Sequence, residues 1–198
     1  MHWLPWPVLP KLLWPAVRYK DKRAITLEEH LKIVSRERNT ELKAFYQLLW
    51  HMGAAQSDLA SLTAEDVNWH ERTTAFRRHK TKVPVVITFG EEASVILKTL
   101  PQSGLLFPWL SRLHEKHRAK HFSKRLATVG ISGVSLHSYR YAWAERAKVA
   151  GMPERYAQQA LGHSSKAFAR SYSKNAMVVV PSLETYERKI APAAAALN

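Results

Sequence analysis

Residues 136–172 read LHSYRYAWAERAKVAGMPERYAQQALGHSSKAFARSY, and this stretch decides how the rest of the chain is read. The pattern predicts a helix from about His137 to Ala150, stopped by Gly151, a residue suited to the left-handed turn that closes helices. Pro153 opens the next helix in the first-turn position, where its missing N–H is no loss, and that helix ends at Leu161-Gly162. A last short helix spans roughly Ser165–Tyr172. His137 and Arg140 are three residues apart and share a helix face. His163 follows in a Leu-Gly-His, and Tyr172 comes nine residues after it. Singly, each has a bland reading as a satisfied structural histidine or a core tyrosine. Their order and spacing set them apart.

Upstream, Thr26-Leu-Glu-Glu29 is a capping box opening a helix, with Leu27, Leu31 and Val34 as its expected apolar face. Asn39 or Thr40 caps a second helix, where Leu42, Phe45, Leu48, Leu49 and Met52 repeat at helical spacing and Gly53 ends it. A short helix follows from about Ser57, and Thr63-Ala-Glu-Asp66 is another helix start. The period then changes. Thr73–Arg78 and Val83–Thr88 are rich in β-branched residues and flank His79-Lys80-Thr81-Lys82, which predicts a hairpin with a basic tip. Pro84 argues for an edge strand. Helix returns over Glu91–Leu100. Residues 112–129 form a very basic helical stretch in which Arg112, Lys116, Arg118, Lys120, Lys124 and Arg125 oppose Glu115. The fold class is mainly α with one small antiparallel β-sheet (α+β). The expected divisions are a Trp/Pro-rich arm over 1–24, a catalytic domain over 25–176 and a tail over 177–198.

The composition narrows the function. The chain has 198 residues, 30 Lys+Arg against 16 Asp+Glu, and a net charge of +14. That length suits one domain with a short arm. With 46% hydrophobic residues it is no disordered polycation, and without cysteine it has no disulfide, thiolate zinc site or cysteine nucleophile. The charge favours a polyanion, with double-stranded DNA first and the interior of the cell as the expected compartment (cytoplasmic, nucleoid-associated). The apolar start, with Trp3, Trp6 and Trp14, is not read as a signal peptide, because Pro5, Pro7, Pro10 and Pro15 break any helical run and Lys11 sits in its middle. No run is long and apolar enough for a membrane span. The histidines His114, His117 and His121 have helical ligand spacing but only one acid, Glu115, and no thiols nearby, so no metal is expected.

The set His137, Arg140, Leu161-Gly162-His163 and Tyr172 resembles the catalytic domain of the tyrosine recombinases, or phage-type integrases. The resemblance extends over roughly residues 24–175, through the two opening helices, the glycine turn, the Asp66-Val-Asn-Trp69 stretch and the basic hairpin. It implies that Tyr172 attacks a DNA phosphodiester to form a covalent 3′-phosphotyrosine, leaving a free 5′ hydroxyl that religation later consumes. Arg140 would bind the phosphate through its planar fork. His137 and His163 would donate further bonds, with His137 able to take the tyrosine proton. Lys80 at the hairpin tip would protonate the leaving oxygen, with Lys82 as its rival. No cofactor or metal is needed. The expected DNA-backbone contacts are Arg77, Arg78, Lys82, Lys116, Lys120, Lys124 and Arg125, and the expected assembly is a homo-oligomer on DNA.

Two departures stand out. The family's first arginine lies two residues after the turn glycine, in a Gly-x-Arg-x-x-Glu pattern. Here the turn reads Gly53-Ala54-Ala55-Gln56-Ser57-Asp58, so Ala55 holds the arginine's place and Asp58 matches the acid. Losing one preorganised donor costs about 10²–10³ in rate. Cleavage is therefore expected to be weak or to use a substitute cation such as Arg77 or Arg78. Two rival readings follow: a DNA-binding relic without turnover, and a type IB topoisomerase-like activity. Second, family members usually carry a helical domain before this one to clamp DNA, so a partner supplying that half, or a solitary catalytic domain, is expected.

Overall fold

The computed structural model describes residues 23–161 and 179–195. The capping box at Thr26 is made: the Glu29 N–H donates to Thr26 Oγ1 (3.2 Å) and the Thr26 N–H donates to the Glu29 carboxylate (3.0 Å). It opens α1 (Leu27–Arg36). The face α1 buries is His30, Ile33 and Val34, whereas Leu27 and Leu31 are 58% and 57% exposed. Two apolar stripes compete on this helix, and its packing against α2 and α6 selects the one carrying the histidine. Asn39 caps α2 (Thr40–Met52) by accepting from the Leu42 N–H, and Gly53 closes it at φ +61°. A Cβ at Gly53 would lie 2.7 Å from the Trp143 ring, so both backbone angle and close approach require glycine there.

The chain continues through α3 (Gln56–Ala60) and a 3₁₀ turn at Ala64–Asp66, where Thr63 N and Oγ1 both donate to Asp66 Oδ2. The sheet follows: β1 (Val67–Asn68), β2 (Thr73–Arg77), β3 (Pro84–Thr88) and, far along the chain, β4 (Val179–Val180). The first three strands are antiparallel, as expected. β4 runs parallel to β3, pairing Val86 with Val179 and Ile87 with Val180, so the sheet is mixed. β3 is therefore not an edge strand. Pro84 is tolerated as its first residue, ahead of the positions β4 covers.

Helices α4 (Glu91–Lys98), α5 (Pro108–Arg112) and α6 (Glu115–Val129) lead to α7 (Ser138–Val149) and α8 (Glu154–Leu161). The basic stretch expected as one helix breaks at Leu113-His114. Arg118 Nη1 donates to the carbonyls of Leu110 (3.0 Å) and Leu113 (2.5 Å), satisfying the end of α5, and His114 caps α6. After β4, α9 (Leu183–Ala195) packs on α7 and α2, with Val180 and Leu183 buried. Much of the stretch expected as a tail thus closes the sheet and the core. The N-terminal arm before residue 23 lies outside the described residues.

Two apolar clusters meet at α7. On one side Tyr139 packs against Tyr46 and Phe122, with ring centroids 6.3 and 5.8 Å away. Its hydroxyl lies 3.3 Å from His30 Nδ1. On the other side Trp143 and Ala147 meet Val85, Ile87, Val180 and Leu183. Each large side chain so buried contributes about 1.5–3 kcal/mol. A helix gripped on both sides holds its first turn, with His137 and Arg140, in a fixed place. Among the described residues no helix is long and apolar enough to cross a membrane.

Candidate active site

Arg140 leaves the first turn of α7 and joins three elements. Its Nη1 donates to the Gly53 carbonyl (3.0 Å) and its Nη2 to the Leu161 carbonyl, tying α7 to the α2 turn and the end of α8. Burial, with help from the neighbouring charge of Arg78, lowers its pKa to about 10, while Asp58 opposes the shift. Arg140 therefore stays cationic at neutral pH. His137 is exposed at the head of the same helix, edge-on to Tyr141 at 5.1 Å.

The adjoining wall is the turn over residues 53–58. Ala55 occupies the N-cap of α3 and makes no side-chain cap bond. Asp58 is buried with both oxygens used: Oδ2 accepts from Arg78 Nη1 (2.8 Å) and Oδ1 from the His79 N–H (2.8 Å). One carboxylate thus anchors the basic hairpin to α3. Arg78 is only 4% exposed. Its Nε and Nη2 are buried without a hydrogen-bond partner among the described residues. Burial pushes its pKa down and Asp58 holds it up.

These walls enclose a cleft of about 460 Å³ lined by Ala55, Asp58, Arg78, Lys80, His137 and Arg140, among others. Leu161, the first residue of the Leu-Gly-His, also lines it. Lys80 and Lys82 are both exposed on the hairpin tip, but only Lys80 lines the cleft. Lys82 adopts the left-handed region at φ +57°. Arg77 is exposed and spends a donor on the Lys82 carbonyl (3.4 Å). His163 and Tyr172 lie outside the described residues.

The expected backbone-contact residues on α6 divide into two kinds. Lys116, Lys120 and Lys124 are exposed at four-residue spacing, forming one stripe. Arg125 instead makes a bidentate pair with Glu37 (2.9 and 3.0 Å), whose side chain is 4% exposed. Arg125 also borders a basic groove with Lys32, Arg36 and Arg38, which the sequence reading missed. Their signal was the i, i+4 spacing of Lys32 and Arg36 on α1, with Arg38 just beyond its end. The histidine run takes other work: His114 caps α6 and His121 stands edge-on to Trp109 at 5.1 Å. Elsewhere His51, Glu92 and Glu184 bring potential ligand atoms within 4.8 Å of one another. Arg146 interacts with both His51 and Glu92, so a cation already serves that cluster.

The Phage integrase family model matches residues 23–178. A curated relative, tyrosine recombinase XerD of Pasteurella multocida, is 27% identical over 147 residues, covering 66% of this chain and 49% of the relative. The solved integrase of mycobacterium phage Brujita superposes with a TM-score of 0.67 at 18% identity, covering 81% of this chain and 56% of that one. A lambda integrase tetramer bound to a Holliday junction gives 0.63 at 19% identity, covering 82% of this chain and 52% of that one. The chain thus spans about half the length of these proteins, and the structural likeness shows that the fold is shared.

Proposed function

The chain belongs to the phage integrase family, and on that premise we propose that it performs the strand cleavage and religation of a site-specific DNA recombinase through Tyr172. The Tyr172 oxygen attacks the scissile phosphorus in line. The Tyr–O–P bond forms as the P–O5′ bond breaks, giving a 3′-phosphotyrosine. His137 takes the tyrosine proton and Lys80 gives a proton to the departing 5′ oxygen. The reverse sequence, with the 5′ hydroxyl of another strand, releases the enzyme and conserves the phosphodiester energy. Arg140 and His163 hold the non-bridging oxygens, on which charge accumulates.

The observation that carries this reading is the convergence of Lys80, His137 and Arg140 on one cleft with Leu161 at its edge. The exposed stripe Lys116, Lys120 and Lys124 is assigned to backbone contacts, which position the duplex without reading sequence. Because lambda integrase occurs as a tetramer on a Holliday junction, assembly of several copies on DNA is the proposed working state. The test is incubation with a pool of nicked duplexes of random sequence. An SDS-resistant DNA–protein adduct is expected from the parent chain and none from Tyr172→Phe. Ala55 favours a second reading, a DNA-binding relic; salt-sensitive DNA binding with no adduct would select it. Relaxation of supercoiled plasmid without strand exchange would select the topoisomerase-like alternative.

A further inference from the structure

We propose that Arg78, reaching in from the end of β2, supplies the second phosphate-binding guanidinium of the cleft, the one that the turn at Ala55 does not provide. The proposal rests on the phosphodiester reading above and deepens it.

The first support is an unsatisfied donor set. Arg78 uses Nη1 on Asp58 (2.8 Å), while Nε and Nη2 are buried with no partner among the described residues. Leaving donors of a charged group unmade costs more than an ordinary lost hydrogen bond, so such a group calls for an acceptor that arrives later. The second support is charge. The cleft wall holds Arg78, Arg140 and Lys80 against Asp58 and the exposed Glu115, an excess of cation around two largely buried guanidiniums. The charge of Arg78 depresses the protonation of Arg140. An anion between them removes that repulsion and repays part of the desolvation.

The third support is position. Asp58 is the acid of the turn that would otherwise carry an arginine at Ala55, and it grips Arg78 instead, 20 residues away. The guanidinium that this acid holds therefore enters by way of the hairpin. Arg77, the other nearby candidate, points its donor at the Lys82 carbonyl and is exposed. A monoanionic phosphodiester has two non-bridging oxygens. Arg140 and Arg78 both line the cleft and offer their remaining N–H donors to one oxygen each.

The test uses the full chain and inorganic phosphate, followed through the arginine ¹⁵Nε resonances. The Arg78 and Arg140 signals, assigned with Arg78→Lys and Arg140→Lys, should shift along one isotherm. Arg78→Lys should weaken phosphate binding about tenfold or more, the scale of one charged hydrogen-bonding group. Arg78→Met leaves Asp58 buried without its cation and can lose its fold, so the parent-chain titration stands independently of it. Where Arg78→Met folds, Ala55→Arg added to it should bring phosphate affinity back to within about threefold. An unmoved Arg78 signal beside a shifting Arg140, an unchanged affinity in Arg78→Lys, or no phosphate binding at all would overturn the proposal. The titration does not involve Tyr172. Phosphate held by both arginines with no DNA adduct would remove the recombinase reading and leave this one standing. An adduct formed equally well by Arg78→Lys would do the reverse.

Discussion

On one wall of the cleft a helix carries its own arginine: Arg140 sits in the first turn of α7, wedged between the Gly53 and Leu161 carbonyls. On the other wall the turn over residues 53–58 carries none. The guanidinium there comes from β2 and is pinned by Asp58 from α3. The two differ in what supports them. Arg140 leans on backbone carbonyls, which no substitution removes. Arg78 leans on one side chain, so the second wall depends on a single carboxylate. A binding position can therefore be preserved electrostatically while the sequence position that should hold it is lost, with the partner acid as the fixed point.

The comparison breaks most readily at Asp58. Asp58→Ala leaves Arg78 buried and unpaired and frees the His79 N–H, so a loss of about 3–5 kcal/mol of folding stability is expected, read as a lower denaturant midpoint. Arg140→Ala removes a donor from the wall that has backbone support. It should fold with a smaller stability loss while lowering the covalent adduct rate by about 10²–10³, measured in single-turnover cleavage. If Asp58→Ala proved no less stable than Arg140→Ala, the contrast between the walls would be lost.

A pH titration sharpens the same contrast away from the cleft. His30 stacks on Trp50 at 4.5 Å, and burial lowers its pKa to about 3. His51 is lowered to about 4 by burial and Arg146. The unfolded chain takes up these protons near pH 6.5 and the folded chain does not, so stability is full above pH 6.5 and falls below it. His30 alone should cost about 2 kcal/mol by pH 5, and His30→Phe should flatten that part of the urea-midpoint profile. The smallest effects separate the two kinds of cation on α6. Lys120→Ala should leave stability within about 0.5 kcal/mol and reduce the salt dependence of DNA binding by about one unit of slope. Arg125→Ala should instead lower stability by about 1–3 kcal/mol, because Glu37 stays buried without its partner.

What was legible in the sequence was local. The capping box at Thr26, the Asn39 cap, the Gly53 stop and the hairpin around Lys80 each follow from a few neighbouring residues, and each is present. The choice between two apolar faces of α1 was not local. Leu27 and Leu31 fit the helical period as well as Ile33 does, and only packing against α2 and α6 decides. β4 pairs with a strand about ninety positions earlier, and two valines before a proline carry no sign of their partner. In the site, His137, Arg140 and Lys80 were readable from motif and tip position. Arg78 was readable as one of two candidate cations, but its burial and its Asp58 partner come from tertiary packing alone. Arg118 and Arg125, counted among the basic stretch, are largely structural for the same reason.

The most direct measurement of the central claim is peptide mapping of the covalent adduct by mass spectrometry after nuclease trimming. The expected product is a nucleotide attached through its 3′ phosphate to the peptide containing Tyr172, with yield falling in both Arg140→Ala and Arg78→Lys. Attachment at another residue, or no adduct from any duplex in the pool, would contradict it.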